Sequence, residues 1–159
     1  MRTRLIRVIS QAAAAVVMIC GFLGSSASAT VQPTRCSNRT LAGDYGFTIE
    51  GTVFAIPGIP LPPGVTIPVR GVVLQHYDGK GNLTQVDHVV DNGMPPAEEW
   101  TAGSGTYSVN PDCTGSAVIN IPGNPIAPLN IHFVITKHGR EILQVVDANA
   151  VMAVGHKVD

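Results

Sequence analysis

Alternation of apolar and polar residues dominates the chain after Thr30 and predicts β-strands almost throughout. Short segments rich in Val, Ile, Thr, Tyr and Phe are separated by Gly, Pro, Asn and Asp. No stretch shows the apolar repeat of a helix over three turns. The pattern predicts eight strands, at residues 45–54, 69–77, 83–90, 101–109, 116–121, 129–136, 141–146 and 150–154.

The connections between these segments are typical of antiparallel hairpins. Residues 78–82 (DGKGN) separate the second and third strands, residues 110–115 the fourth and fifth, and His138-Gly139 the sixth and seventh. Glycine reaches the positive φ angles that tight turns require. Eight short, evenly spaced strands predict an all-β fold, an eight-stranded antiparallel up-and-down barrel, with a β-sandwich as the alternative. Closure favours the barrel because it removes unpaired edge strands.

Two apolar, proline-rich segments interrupt the strand pattern. Residues 55–68 contain five prolines among Ile, Leu and Val, and residues 122–128 are a shorter version. Proline withholds a backbone donor, so neither segment is a central strand. Two interpretations stay open, because such long apolar loops need cover from water. Either the segments fold over a barrel end as a plug or lid, or they form an apolar contact surface.

The first 29 residues have the layout of a secretory signal peptide. Three arginines among the first seven residues precede an apolar run at residues 12–23, and small residues at 27–29 form a cleavage site. The apolar run is too short to span a membrane. We therefore expect cleavage near Ala29 and export, to the medium or the cell envelope, of a single domain at residues 30–159 without a membrane span.

Charge and motif content exclude several classes of function. Without the signal, the chain has seven basic and eleven acidic residues, hence a formal charge of −4. No basic stripe with interleaved aromatic residues is present, so nucleic acid is not an expected partner. The sequence contains no zinc-ligand spacing, P-loop, dinucleotide fingerprint or nucleophile elbow. No cofactor, metal site or catalytic residue is therefore predicted.

Cleavage of the signal discards Cys20 and leaves Cys36 and Cys113. Export would place this pair where a disulfide persists. The bridge would tie the N-terminal arm to the barrel rim and stabilise the fold by roughly 4 kcal/mol in the chain-entropy model. A catalytic cysteine is the competing interpretation, but it requires a nearby histidine and a means of staying reduced. We favour the disulfide.

Three segments resemble a group of small secreted bacterial proteins. They are LAGDYGF at residues 41–47, DGKGNL at 78–83 and GTYSVNPDCTG at 105–115. Those proteins look like calycin-type or allene-oxide-cyclase-type eight-stranded barrels, and the resemblance covers most of residues 30–159. It implies the fold and export, since the matching residues are turn, packing and disulfide positions. Such barrels hold small apolar ligands or act as cyclases, but no catalytic motif is present onto which a cyclase residue could be carried.

Four side chains are candidates for contacting a ligand inside the barrel: Tyr45, Tyr77, His88 and Tyr107. Tyrosines of this kind either project hydroxyls into a cavity or fill the core and bond to backbone. His88 shares its strand parity with Val86 and Val90, which predicts an inward side chain. Such a histidine orients a ligand, acts as a base, or is a satisfied core residue. His132 is predicted to face outward.

Three functions remain open at this point. The favoured one is a secreted barrel that binds a small apolar ligand, with residues 55–68 at its mouth. The second is a filled barrel that acts as a structural or interaction protein through its proline-rich loops. The third is a cyclase or isomerase for an apolar substrate, with His88, Tyr77 and Glu50 as candidate polar groups. Glu50 by itself is expected to face solvent.

Overall fold

A computed structural model describes residues 35–56, 58–59 and 61–159 and shows a closed barrel of eight antiparallel strands. Each strand pairs with its neighbours in the sequence, and the last strand closes on the first. The predicted up-and-down barrel is confirmed, and the β-sandwich alternative is wrong. The expected signal peptide lies outside the described residues. The strands are β1 (Gly43–Val53), β2 (Ile67–Tyr77), β3 (Asn82–Asp91), β4 (Thr101–Val109), β5 (Thr114–Asn120), β6 (Leu129–Thr136), β7 (Glu141–Val146) and β8 (Ala150–Lys157).

The strand bounds agree closely with the alternation pattern, and the largest difference is at the end of β8. This strand continues through Gly155 to Lys157, three residues beyond the predicted end. Glycine is uncommon in strands, and for this reason the strand predicted from the sequence ends before Gly155. In the barrel it pairs with Phe47 of β1, so the closure of the sheet extends β8.

Helical structure among the described residues is limited to two short 3₁₀ segments, Asn38–Leu41 and Lys137–Gly139. In the part of the chain that the structure describes, no helix is long and apolar enough to span a membrane. The first segment places Leu41 in the core with no exposed surface. A disulfide between Cys36 and Cys113, with a Cα–Cα distance of 5.0 Å, joins the chain just before this segment to the turn between β4 and β5. The predicted bridge from the N-terminal arm to the barrel rim is confirmed.

The two ends of the barrel differ in the length of their connections. At one end, here called the closed end, short turns join β2 to β3, β4 to β5 and β6 to β7. At the other, here called the open end, longer loops at residues 54–66, 92–100 and 121–128 join β1 to β2, β3 to β4 and β5 to β6. This difference assigns both apolar, proline-rich segments to the same end.

Aromatic side chains pack the interior of the closed end. The Tyr77 ring meets Tyr45 and Tyr107 edge to face, with centroids 5.5 and 4.9 Å apart. Phe47 and Phe133 belong to the same buried cluster. Edge-to-face pairs at these distances are a favoured arrangement of aromatic rings. The closed end is therefore filled by large side chains.

Candidate functional site

The open end contains a cavity of about 410 Å³ inside the barrel. All eight strands contribute to its wall, together with the three long loops. Its volume lies within the range of small-molecule sites, roughly 300–1,000 Å³. Space remains because the open half contributes aliphatic side chains, whereas the described inward-facing aromatic rings lie at the closed end. Its apolar wall includes Ile49, Val73, Val89, Ile131, Val146 and Ala153.

A chain of buried hydrogen bonds leads from the aromatic cluster into the cavity. The Tyr77 hydroxyl donates to Gln75 Oε1 at 2.6 Å. Gln75 Nε2 donates to Gln85 Oε1 at 2.8 Å, and Gln85 Nε2 donates to Asp87 Oδ2 at 2.7 Å. Gln75 and Gln85 are Cα partners on β2 and β3, so the register of the two strands places their amides together. Polar groups buried in this way are stabilised when each has a partner.

Asp87 ends this chain inside the barrel, where only 5 % of the residue is exposed. Burial raises the pKa of its carboxyl group, because the charged form loses solvation. The hydrogen bond from Gln85 and the charge of the neighbouring His88 act in the opposite direction. Both amides donate toward Asp87, so the chain presents a hydrogen-bond acceptor to the cavity.

A second polar group lies on the opposite wall. Gln144 of β7 is 8 % exposed and lines the same cavity. In a closed barrel of eight strands, β7 and β3 lie across from each other. The Gln144 side chain forms no hydrogen bond with a described residue, and its polar atoms are open to the cavity, since no fully enclosed side-chain N or O atom of the described residues lacks a partner. A ligand that reaches both walls would meet Asp87 on one side and Gln144 on the other.

The mouth of the cavity is apolar and acidic. Ile56, Pro96 and Ile126 come from the three long loops, and Asp91 and Glu98 add two carboxylates. Burial raises the pKa of Asp91. Within the described ranges, no Lys, Arg or His lines the cavity. The site therefore combines aliphatic walls with negative charge and no compensating cation.

The proline-rich segment predicted at residues 55–68 borders this mouth but does not fill it. Ile56 and Ile67 line the cavity, whereas Ile59 and Val65 are 50 % and 46 % exposed. The shorter segment at residues 122–128 contributes residues 122–126 to the opposite rim. Side chains of both segments therefore line the mouth, and part of the first segment is exposed.

The three candidate tyrosines lie in the closed end and are not among the residues that line the cavity. The Tyr45 hydroxyl donates to the carbonyl oxygen of Gly139, and the Tyr107 hydroxyl donates to that of Asn38 at 3.1 Å. Burial raises the pKa of Tyr45 to about 12. The three tyrosine rings therefore pack against one another in the hydrophobic core. Tyr77 alone connects to the cavity, through its bond to Gln75.

The predicted inward orientation of His88 is wrong. Its Nδ1 lies 2.7 Å from the carbonyl oxygen of Glu99, outside the barrel, and its ring lies beside Trp100. The adjacent residue Asp87 faces inward in its place. Two other expectations are confirmed: His132 is outside, with Nδ1 2.9 Å from Asp147, and Glu50 is exposed to solvent.

Sequence reasoning missed the polar groups of the cavity, Gln75, Gln85, Asp87 and Gln144. A signal for three of them was present in the hairpin at residues 78–82. Its register pairs Tyr77 with Leu83. That pairing continues the inward face of β2 onto alternate residues of β3, which include Gln85 and Asp87.

No model of a known protein family matches this chain, and no curated protein matches it at a significant level.

Proposed function

We propose that this protein is a secreted barrel that binds a small, largely apolar ligand in the cavity at its open end. The observation that carries the proposal is the cavity itself, about 410 Å³ in volume, with aliphatic walls and a few buried polar groups. Ligand sites usually have this composition. The N-terminal signal layout and the disulfide support secretion. The resemblance to calycin-type barrels agrees with the same function.

The energetics of packing favour an occupied cavity over a purely structural barrel. Protein interiors have few voids larger than a water molecule. This space is open at the mouth of the barrel and is therefore filled by solvent or by a ligand. Its aliphatic wall favours an apolar ligand.

An interaction function is the second candidate, because apolar side chains are exposed around the open end. Ile59, Met94 and Trp100 are 50 %, 71 % and 52 % exposed. Side chains of this kind are typical of contact surfaces where they form a contiguous patch. The cyclase or isomerase alternative has no such support: its candidate groups were His88, Tyr77 and Glu50, and none of them is among the cavity-lining residues.

A cavity-filling variant tests the binding function. Ala153 faces the cavity, and its neighbour Met152 faces outward with 58 % exposure. We expect Ala153→Phe to lose most of the affinity for a polarity-sensitive apolar fluorophore, and Met152→Phe to retain it. Ala153→Leu is the milder variant if the phenylalanine prevents folding, and far-UV dichroism verifies the barrel in each case.

Native mass spectrometry of protein from its host's culture medium provides a second measurement. A copurified lipid-sized mass that is lost on denaturation would support the binding function. A ligand-free mass that persists after incubation with a mixed lipid extract would contradict it. Equal affinity of Ala153→Phe and the wild type for the fluorophore would also contradict the binding function. In both cases the interaction function becomes the better proposal.

A further inference from the structure

We propose that the ligand is a cationic amphiphile, an apolar body with a protonated amine that binds Asp87 inside the barrel. This inference rests on the binding function proposed above and adds the chemical class of the ligand. Three features of the cavity carry it: its acidic lining without a lining cation, the direction of its hydrogen-bond chain, and a second polar side chain, Gln144, whose amide is open to the cavity.

The charge of the cavity favours a cation. Asp87, Asp91 and Glu98 line it, and none of the three forms an ion pair with a residue that the structure describes. Asp91 and Glu98 lie exposed at the mouth, whereas Asp87 is buried. A buried carboxylate that forms no ion pair is costly, and an ammonium group bound to it reduces that cost. An anionic amphiphile such as a fatty acid would instead approach three like charges. The cavity therefore selects against carboxylate ligands.

The direction of the hydrogen-bond chain requires a donor from the ligand. Tyr77, Gln75 and Gln85 each donate one step closer to Asp87, and the last bond is to Asp87 Oδ2. No donor among the described residues reaches Oδ1 of Asp87. A carboxylate accepts several hydrogen bonds and donates none. Oδ1 of a residue only 5 % exposed can therefore accept from an N–H group of a ligand.

Gln144 is the second, independent observation. It is 8 % exposed, lines the cavity from the wall opposite Asp87, and has no hydrogen-bond partner among the described residues. An ammonium group has three donors, so donors remain after it binds Asp87, and the wall opposite presents the side-chain amide of Gln144 to the rest of the ligand. The aliphatic walls and the apolar loops of the mouth then contact the rest of the ligand. A small cation without an apolar body would leave those walls in water.

A matched set of probes tests this inference by calorimetric titration. The probes are n-decylamine, n-decanol and decanoate, which share an alkyl chain and differ in the head group. At neutral pH we expect n-decylamine to bind at least about tenfold more tightly than n-decanol, and decanoate to bind most weakly. Asp87→Asn is expected to abolish the preference for the amine while n-decanol still binds. Asp44→Asn, which removes an exposed carboxylate outside the barrel, is the control and should retain the preference.

The outcomes separate this inference from the binding function. Equal affinity for amine and alcohol, tightest binding of decanoate, or an unchanged preference in Asp87→Asn would overturn the cationic ligand and leave the binding function intact. Failure of all three probes to bind would instead count against the binding function. If Asp87→Asn does not fold, the test is made on the wild type instead, by following the ¹³C resonance of the Asp87 carboxyl group during titration. That resonance should shift with n-decylamine and not with n-decanol, and the opposite result overturns the inference.

Discussion

The Phe47 ring of β1 lies against the backbone of its partner Gly155 on β8. A Cβ atom at Gly155 would be 2.3 Å from Phe47 Cε1. The same relationship recurs at Gly115, where a Cβ atom would be 2.3 Å from Phe133 Cζ. Two inward glycines therefore make room for the aromatic rings that fill the closed end.

We predict that Gly155→Ala destabilises the barrel by about 1–3 kcal/mol, because the added methyl group overpacks a filled interior. Urea unfolding measures the change. The double variant with Phe47→Leu should show a favourable coupling energy, since the smaller side chain relieves the clash. Gly46→Ala is the control, because a Cβ atom there meets only Val158, at 3.9 Å. Equal losses in Gly155→Ala and Gly46→Ala would contradict the prediction.

Cys113→Ser is expected to lower the melting temperature by on the order of 10 °C. The bridge closes a loop with a sequence separation of 77, and its loss costs about 4 kcal/mol in the chain-entropy model. Differential scanning calorimetry measures the shift. Cys36→Ser should have the same effect, and the double variant should lose little more. Additive losses from the two single variants would show that the cysteines stabilise the protein separately.

Asp87→Asn is expected to stabilise the ligand-free protein at neutral pH. Burial raises the pKa of Asp87 above its ordinary 3.8, so the folded state retains a proton that the unfolded chain has lost. Stability therefore falls as pH rises from 3.8 through the raised pKa, and the cost persists at neutral pH. Urea unfolding at several pH values should show the gain from Asp87→Asn disappear below 3.8.

The charge of His88 lowers the pKa of Asp87 and opposes the effect of burial, and Asp87→Asn removes this interaction together with the burial cost. Asp44→Asn, outside the barrel, serves as the control. A loss of stability in Asp87→Asn at neutral pH would mean that the carboxylate stabilises the fold, contrary to the burial argument.

Asp78 stabilises the hairpin between β2 and β3 through its ionised carboxylate. Its Oδ2 accepts from Asn82 Nδ2, and its Oδ1 accepts from the backbone N–H groups of Asn82, Lys80 and Gly81. These bonds hold the pKa of Asp78 well below its usual range. Its contribution to stability is therefore full above 3.8 and is lost as pH falls through the depressed pKa.

We expect Asp78→Ala to lower the melting temperature at neutral pH, with a smaller difference in strong acid. Asp78→Asn should retain much of the wild-type stability, because its side-chain oxygen still accepts from the turn backbone. Thermal unfolding at both pH values measures the effect. A pH-independent loss in Asp78→Ala would show that ionisation of this residue does not matter.

The outward face of β3 shows where sequence reasoning reaches its limit. Val86 and Val90 share a face, and an apolar pair normally indicates the interior. In the barrel Val86 is 38 % exposed, while the polar residues Gln85 and Asp87 are buried. Alternation identifies two faces of a strand but not which of them is inward. When the interior itself contains polar groups, only strand register decides.

The sequence by itself determined the eight strands, the barrel and the disulfide. These follow from local rules: a period of two in the strands, and turn residues such as Gly79 with a φ of 73°. The tertiary structure alone decided the cavity and its polar wall. A cavity depends on the combined volume of inward side chains from all eight strands, which no local pattern contains. The hairpin at residues 78–82 indicates that Gln75 lies near Gln85, but closure of the whole barrel decides that their face is the inward one.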